Sequence, residues 1–592
     1  MLPRHKHWVV QSSDQRQVEA LAHTLSLSPI TAAVLCRRGL VEPGQARDWL
    51  SPSTGTTHDP FALPDMERAI DRLHLAIRQR ERICLYGDYD VDGMAATSLH
   101  LLFWRSVGAQ AEVYIPHRQE EGYGLHEAAI RTLAGKGVSL LITADCGTTS
   151  HREIAVARGL GLDVIVTDHH QLQSHGPEAL ALINPYRPDS TYPFRGLCSG
   201  GLAYKVVEAY AQKYGAAGVP VESFRDLVAL SSIADLVPLR DENRVLVKDG
   251  LMQVSQGTRC GLRVLTQSLG LTGDCSASAV GFQIAPRLNA AGRLAHADLG
   301  VQLLTTDSEP RALRLVQTME QLNRQRRQIE QETARKAVRQ VEAGELSSAP
   351  WSSPPSVIPA EAGIQGDVGR APGACIVVGA EGWHIGVIGI VASRLVDRYH
   401  RPAVVVAFDR HGVGKGSVRS VPGFDMCRAL EHCQQYLVAF GGHAMAAGLT
   451  VRRQAFAAFS RHLCEYVGAE MDAKAMVPTL DVDAAIALSD VQWPLLQELA
   501  QLQPFGMGNP EPAFLGRGLS VLEKNIVGDD HLKLVVRQDG SAPLSGIGFR
   551  MGGLAKTIDE GNGRIDAVFT PEVNAWKGMS RIQLRLCDVR VP

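Results

Sequence analysis

The sequence contains no C-x-x-C: its 11 cysteines stand singly from Cys36 onward, which fits neither a disulfide framework nor a thiolate zinc site and predicts a reducing compartment. It also lacks an excess of either charge. With Lys+Arg 60 against Asp+Glu 62, no global basic field advertises nucleic acid, so any such partner must be held by local patches. Aromatic residues are scarce, at 6%. No apolar run approaches membrane-spanning length and the opening MLPRHKHWVV carries no apolar signal core, so the expected location is the cytoplasm. No fixed-period repeat is present. What remains is 592 residues, 45% hydrophobic and 21% charged, which is ordinary for a globular protein of several domains.

One short stretch departs from the ordinary. GDYDVDG at 87–93 sets Asp88, Asp90 and Asp92 at alternate positions and stops on a glycine. Carboxylates held that close repel one another and resist losing water unless a cation sits among them. The D-x-D-x-D-G spacing matches the first half of an EF-hand loop, but the twelfth position, where calcium needs a bidentate Glu, is Leu99. An EF-hand also needs an entering helix, whereas RICLY at 82–86 reads as a buried strand. MAATSLHLLFWR at 94–105 reads as a helix, so the unit is strand, acidic loop, helix. That places the aspartates at the carboxyl end of a strand, where open α/β sheets bind ligands.

From about 59 to 306, apolar runs alternate with helical patterns, the signature of a parallel sheet flanked by helices. Two further runs, VSLLITADCG at 138–147 and LDVIVTDHH at 162–170, also lead into acids. Residues 310–346 read as a long charged helix, made locally basic by Arg324, Arg326, Arg327, Arg335, Lys336 and Arg339. A solvated helix joining two domains accounts for it better than a nucleic-acid stripe does. Residues 347–373, rich in Pro, Ser, Gly and Ala, read as a surface linker or insertion. A second α/β pattern follows with ACIVVGA at 374–380 and PAVVVAF at 402–408, ending near 465. After PFGMGNPEP at 504–512, alternating segments such as LKLVVRQ at 532–538 and IQLRLCDVRV at 582–591 predict a small β-barrel. Expected divisions are 1–55 as an N-terminal extension, 56–308, a helix at 309–346, the linker, 374–465 and 466–592.

Four places offer ligands: the first loop, Asp145 in TADCG, the Asp168, His169 and His170 triplet, and Asp235 in SSIADLVPL. Taken singly, Asp145 is a turn residue, the His-His pair a surface feature and Asp235 a cap before Pro238. Jointly, parallel strands with right-handed crossovers bring such groups to one edge. Oxygen ligands with one or two imidazoles suit Mn²⁺ or Mg²⁺ better than zinc. More carboxylates than one ion can use points to two ions clamping a phosphoryl displacement. There is no G-x-S-x-G elbow, and GVGKGS at 412–417 lacks the first half of a P-loop.

In order, GDYDVDG, TADCG, TDHH and IADLVPL resemble the motifs of the DHH phosphoesterase superfamily. GWHIGVIGIVASRL at 382–395, GKGSVRS at 414–420 and FGGHAMAAGL at 440–449 are similar to the DHH-associated domain. With PRLNAAGRL at 286–294 and PFGMGNPEP, the resemblance runs to the branch that degrades single-stranded DNA from the 5′ end to mononucleotides, in recombination and repair. It implies two α/β domains, DHH and DHH-associated, joined by a long helix, plus a C-terminal OB-like barrel that grips the strand. It implies Asp88, Asp90, Asp92, Asp145, His169 and Asp235 as ligands of two Mn²⁺ or Mg²⁺ ions, with Asp145 bridging. His170 would face the scissile phosphate and Asp168 would orient an imidazole. The 5′ phosphate would meet Arg118, Arg287, Arg293, Ser417 and Arg419, with Gly441 and Gly442 offering backbone N–H groups beside His443. Single-strand selectivity would come from a narrow cleft with aromatic platforms, although Phe505, Phe514, Phe549 and Trp576 also read as core. Implied partners are single-stranded DNA, a single-stranded-DNA-binding protein and a helicase. Two other readings stand beside this one: a DHH phosphodiesterase for oligoribonucleotides or cyclic dinucleotides, and a non-catalytic DNA-binding scaffold of the same superfamily. Such phosphodiesterases are shorter, and intact acids at every motif speak against the scaffold.

Overall fold

The computed structural model describes residues 6–52, 57–172, 175–271, 273–343, 373–528, 530–576 and 579–591. All but the last residue of the expected 347–373 linker lies outside them. The chain divides into two units, Met1–Gly292 with His296–Met319 and Thr479–Pro592, and Arg293–Ala295 with Glu320–Pro478. Among the described residues no single helix is long and apolar enough to cross a membrane.

The first unit is built on five parallel strands, β1 (Arg82–Gly87), β2 (Gln110–Tyr114), β3 (Val138–Ala144), β4 (Asp163–Thr167) and β5 (Ala181–Ile183), in the order β2-β1-β3-β4-β5. β1, β3 and β4 are apolar on both faces, as strands covered on both sides must be. Helix α1 (Val91–Ser106) is buried almost all round, packed against α2 (Ser199–Tyr214) and α3 (Arg225–Ala234). Its Gly93, Ala95, Ala96 and Ser98 are all buried.

The first fifty residues, expected as a separate extension, are instead part of the C-terminal body. A strand at His7–Val10 pairs in parallel with Thr479–Val482, and Trp8 Nε1 donates to Asp588 Oδ2 at 2.7 Å. Val18, Leu21, Leu35 and Leu50 share a core with Leu496, Phe514, Leu534 and Phe569. The strands of that body pair in a closed circuit: Phe514–Val527 with His531–Arg537, that with Leu544–Gly548, on to Met579–Arg590 and Arg564–Trp576, and back to Phe514–Val527. Of the aromatic residues weighed as platforms, Phe514 is buried, Phe505 half-buried and Phe549 exposed, while the Trp576 side chain lies outside the described residues.

In the second unit a five-stranded sheet is flanked by Ile385–Tyr399 and Arg453–Glu470. The long helix, Glu309–Ala343, is less solvated than its composition predicts. Asn323, Arg326, Glu330, Thr333 and Ala337 recur every three or four residues and are buried. Arg326 is therefore no phosphate contact: it pairs with Glu330, which also binds Arg394 at 2.5 Å.

Candidate metal centre

Asp88, Asp145 and Asp168 each occupy the first position beyond a parallel strand, and each backbone N–H extends the ladder to the next chain segment. Asp88 N reaches Ala144 O at 3.2 Å, Asp145 N reaches Thr167 O at 3.2 Å, and Asp168 N reaches Ile183 O at 3.3 Å. The sheet itself thus sets three carboxylates along one edge. Asp145 adopts φ 69, in the left-handed region that aspartate tolerates in a turn. Asp90 caps α1, accepting from Gly93 N at 3.1 Å, and Asp92 lies in the first helical turn, where the helix dipole favours an anion.

Asp235 arrives differently from the strand-end acids. It sits at the C-terminal end of α3, which packs on α1, so helix packing rather than a strand end delivers it. The convergence is complete: His169 Nε2 lies 3.4 Å from Asp92 Oδ2, 3.3 Å from Asp145 Oδ1 and 3.5 Å from Asp235 Oδ2. Three overlapping groups have their ligand atoms within 4.8 Å of one another: Asp88, Asp90 and Asp145; Asp92, His169 and Asp235; and Asp145, His169 and His170.

This arrangement is electrostatically unfavourable on its own. Burial, then the charge of Asp90, pushes the Asp88 carboxyl well above its ordinary range. Burial, then Asp92, Asp90 and Asp88, does the same to Asp145, and burial with Asp92 raises Asp90. Asp235 is pushed up to about 9 by burial and by Asp92 and Asp90. Moreover, His169 Nε2 and Asp88 Oδ1 are buried without a hydrogen-bond partner. Crowded acids, an unpartnered imidazole nitrogen and a donor set of carboxylates and imidazoles fit divalent Mn²⁺ or Mg²⁺.

Asp168 and His170 behave as a separate pair. Burial disfavours both charges, but His170 Nδ1 lies 2.7 Å from Asp168 Oδ1, and this contact outweighs it. The imidazolium is lifted to about 9 and the Asp168 carboxyl held well below its usual range. Thr148 N and His170 N, at 2.9 and 3.1 Å, also donate to that carboxylate.

Several residues that hold the site were missed in the sequence. Ser199 N and Gly200 N each donate to Asp92 at 2.9 Å, Ser231 Oγ also donates to it, and Ser199 Oγ donates to Asp145 Oδ1 at 3.0 Å. SGG opening an apolar helical run was the available signal, because the first N–H groups of a helix have no partner within it. Tyr123 OH donates to Asp145 O at 3.0 Å and lies 3.2 Å from His170 Nδ1; nothing in IPHRQEEGYG marked it apart from Arg118.

The expected phosphate-binding residues are divided between the units. Arg118 stacks over the Tyr89 ring at 4.6 Å, and its charge acts on Asp88 and Asp90. Arg287 lies on Ala285–Leu294, donating to Gln283 O at 2.8 Å. The remainder belong to the second unit. There Arg293 donates to Gly386 O at 2.8 Å and Arg419 Nη1 to Ser417 Oγ at 3.1 Å. Gly441, Gly442 and His443 lie on the exposed edge strand Leu437–His443.

Comparison with known proteins bears directly on this geometry. The DHH family N-terminal domain matches residues 82–232, the DHHA1 domain 373–469 and the RecJ OB domain 482–588. The chain is 36% identical, over 595 aligned residues, to the single-stranded-DNA-specific exonuclease RecJ of Bacillus subtilis, covering 100% of this chain and 72% of that one. To RecJ of Escherichia coli it is 33% identical, covering 89% and 90%. A crystal structure of RecJ in complex with Mn²⁺ from Thermus thermophilus is similar at a TM-score of 0.82 and 28% identity, covering 99% of this chain and 80% of that one.

Proposed function

The chain belongs to the family of the single-stranded-DNA-specific exonuclease RecJ, and from that premise we propose how its residues perform metal-dependent hydrolysis of single-stranded DNA from the 5′ end. The observation that carries this reading is the His169 ring nitrogen, buried among three carboxylates without a hydrogen-bond partner. Asp88, Asp90 and Asp145 would hold one ion, and Asp92, His169 and Asp235 a second, with Asp145 between them. Two such ions, when bound, acidify a water and neutralise charge on the attacking and departing oxygens.

The remaining work falls to the chain's own groups. Asp168 keeps His170 protonated through neutral pH, so that with Nδ1 engaged, Nε2 donates to a phosphate oxygen as charge grows there. Tyr123 fixes the Asp145 backbone and the His170 ring together. Arg118, held over Tyr89 in the first unit, and the Ser417 and Arg419 pair of the second unit each offer a guanidinium fork suited to a phosphate group. We assign 56–308 to catalysis, 374–465 to binding of the 5′ end and 466–592 to the strand beyond. A single-stranded-DNA-binding protein and a helicase in the cytoplasm are the partners this reading expects.

One oligonucleotide, labelled separately at each end, tests polarity, strand preference and metal together when supplied single-stranded or duplex with Mn²⁺, Mg²⁺ or EDTA. Mononucleotides should leave the 5′ end of the single strand only, and full turnover in excess EDTA would sink the metal assignment. Arg419→Ala should raise KM for 5′-phosphorylated ends about tenfold or more and leave 5′-hydroxyl ends little changed. Equal loss on both would make Arg419 a general backbone contact.

A further inference from the structure

Leu236 directly follows Asp235 and is unfavourable in two respects. Its φ is 59, in the left-handed region that suits glycine and not a branched side chain, and it is 65% exposed. Strain and exposed apolar surface at one residue, beside the acidic cluster, call for a ligand that uses both.

Its surroundings supply more of the same surface. The loop 506–509, within the PFGMGNPEP segment, is fixed against residues 238–240. Met507 O accepts from Leu239 N at 2.8 Å, and Gly508 O from Arg240 Nε at 2.7 Å. A Cβ on Gly506 would stand 2.8 Å from Leu239 Cδ1, so the loop backbone lies close against that side chain. The buried Asn509 side chain holds the loop's own shape, donating to Leu502 O at 2.8 Å and Pro504 O at 2.7 Å. The loop thus spends its polar groups on the brace and leaves the Met507 side chain 54% exposed. Phe282, 77% exposed, lies in the π-helical turn Val280–Ile284 that packs on the end of α3, where a side chain at Gly281 would meet Ile233 Cγ2 at 3.7 Å.

The geometry points to an apolar ledge, formed by Leu236 and Met507 with Phe282 at the neighbouring turn, that takes the face of a nucleobase from the strand being cleaved. This inference rests on the nuclease reading above. Its occupant follows from continuity: the ledge begins one residue after Asp235, and every phosphodiester delivered to the cluster brings a base with it. A base in a duplex has its faces covered by its neighbours and its edge by its partner. An unpaired base offers a face to any apolar surface regardless of sequence. The ledge therefore favours single strands without reading them.

Two substitutions test it without touching the brace. Leu236→Gly removes the side chain and suits the left-handed backbone, and Met507→Ala keeps the backbone oxygen that binds Leu239. KM of the double variant on a 5′-phosphorylated single strand should rise about tenfold, with Mn²⁺ affinity, followed by electron paramagnetic resonance, unchanged. On the same strand made abasic at its first nucleotides, wild type and variant should have equal KM. An equal rise on the abasic strand, or weakened Mn²⁺ binding, would mean that these side chains act by holding Asp235, and overturns the ledge. Unaltered kinetics on the base-bearing strand also overturns it and leaves an apolar protein segment as the occupant. Wild-type protein inert on both strands would fell the nuclease reading and the ledge with it; active wild type with indistinguishable variants fells the ledge alone.

Discussion

Asp145→Ala should abolish hydrolysis, lowering kcat at least about a thousandfold, while the variant stays folded. Asp145 is the one carboxylate grouped both with Asp88 and Asp90 and with His169 and His170, so its loss takes a ligand from the first candidate ion position and removes the carboxylate between the two. Its own packing role is small by comparison, consisting of one hydrogen bond from Ser199 Oγ and the contacts of a short side chain. In EDTA the variant should melt no lower than wild type, because removing one of several crowded acids relieves the repulsion that raises Asp145 itself. Added Mn²⁺ should then raise the melting temperature of wild type more than that of the variant. A variant that remains active, or that gains as much stability from Mn²⁺ as wild type does, would show that Asp145 holds no ion.

The same crowding sets a pH dependence. Asp88, Asp90, Asp145 and Asp235 all have folded values above those of the unfolded chain, so without metal the folded protein binds more protons than the unfolded one. Their contribution is fully present below the ordinary carboxylate value near about 4 and is lost as pH rises towards about 9, where Asp235 titrates. His170, raised to about 9 by Asp168, adds to the same slope. Asp168 has the opposite sign, its stabilisation being lost only below the carboxylate range. Thermal melts in EDTA should therefore fall steadily from pH 5 to 9, and saturating Mn²⁺ should flatten the curve, since bound cations replace the missing protons.

Much of this centre was legible in the sequence, and the reason is physical. A buried parallel strand is a continuous apolar run, and the residue just beyond it must lie on the sheet edge. Asp88, Asp145 and Asp168 could therefore be placed from RICLYG, VSLLITA and DVIVT alone. Asp235 had no such marker. It ends a helix whose position depends on packing against α1, a contact between residues more than a hundred positions apart. SGG marks Ser199 and Gly200 as donors at a helix start, but that they and Ser231 serve Asp92 was hidden for the same reason. The chain ends were misjudged because the strand at His7–Val10 finds its partner at Thr479–Val482, which no local pattern announces. Composition misled at Arg326, where a basic residue in a charged run turned out to be buried against Glu330.

Gly93→Ala should be nearly as damaging as loss of Asp145, although it removes no ligand. In an ordinary helix the exchange is favourable by about 1 kcal/mol, and Gly93 lies in the first turn of α1. Here the added Cβ would stand 2.7 Å from both the backbone N and the backbone O of Asp88, and backbone has no rotamer by which to yield. Gly93 N is also the donor that fixes the Asp90 carboxylate. The displacement therefore falls on two of the three loop acids, and ångström errors in ligand position are enough to empty an ion site. Stability should drop by about 1–3 kcal/mol, while Mn²⁺ affinity falls about a hundredfold or more and kcat with it. Gly292→Ala is the companion, because its Cβ would stand 2.2 Å from the carbonyl oxygen of Tyr89, between Asp88 and Asp90. If calorimetric Mn²⁺ titration finds wild-type affinity in both variants, the aspartate loop is not the rigid template that this geometry makes it.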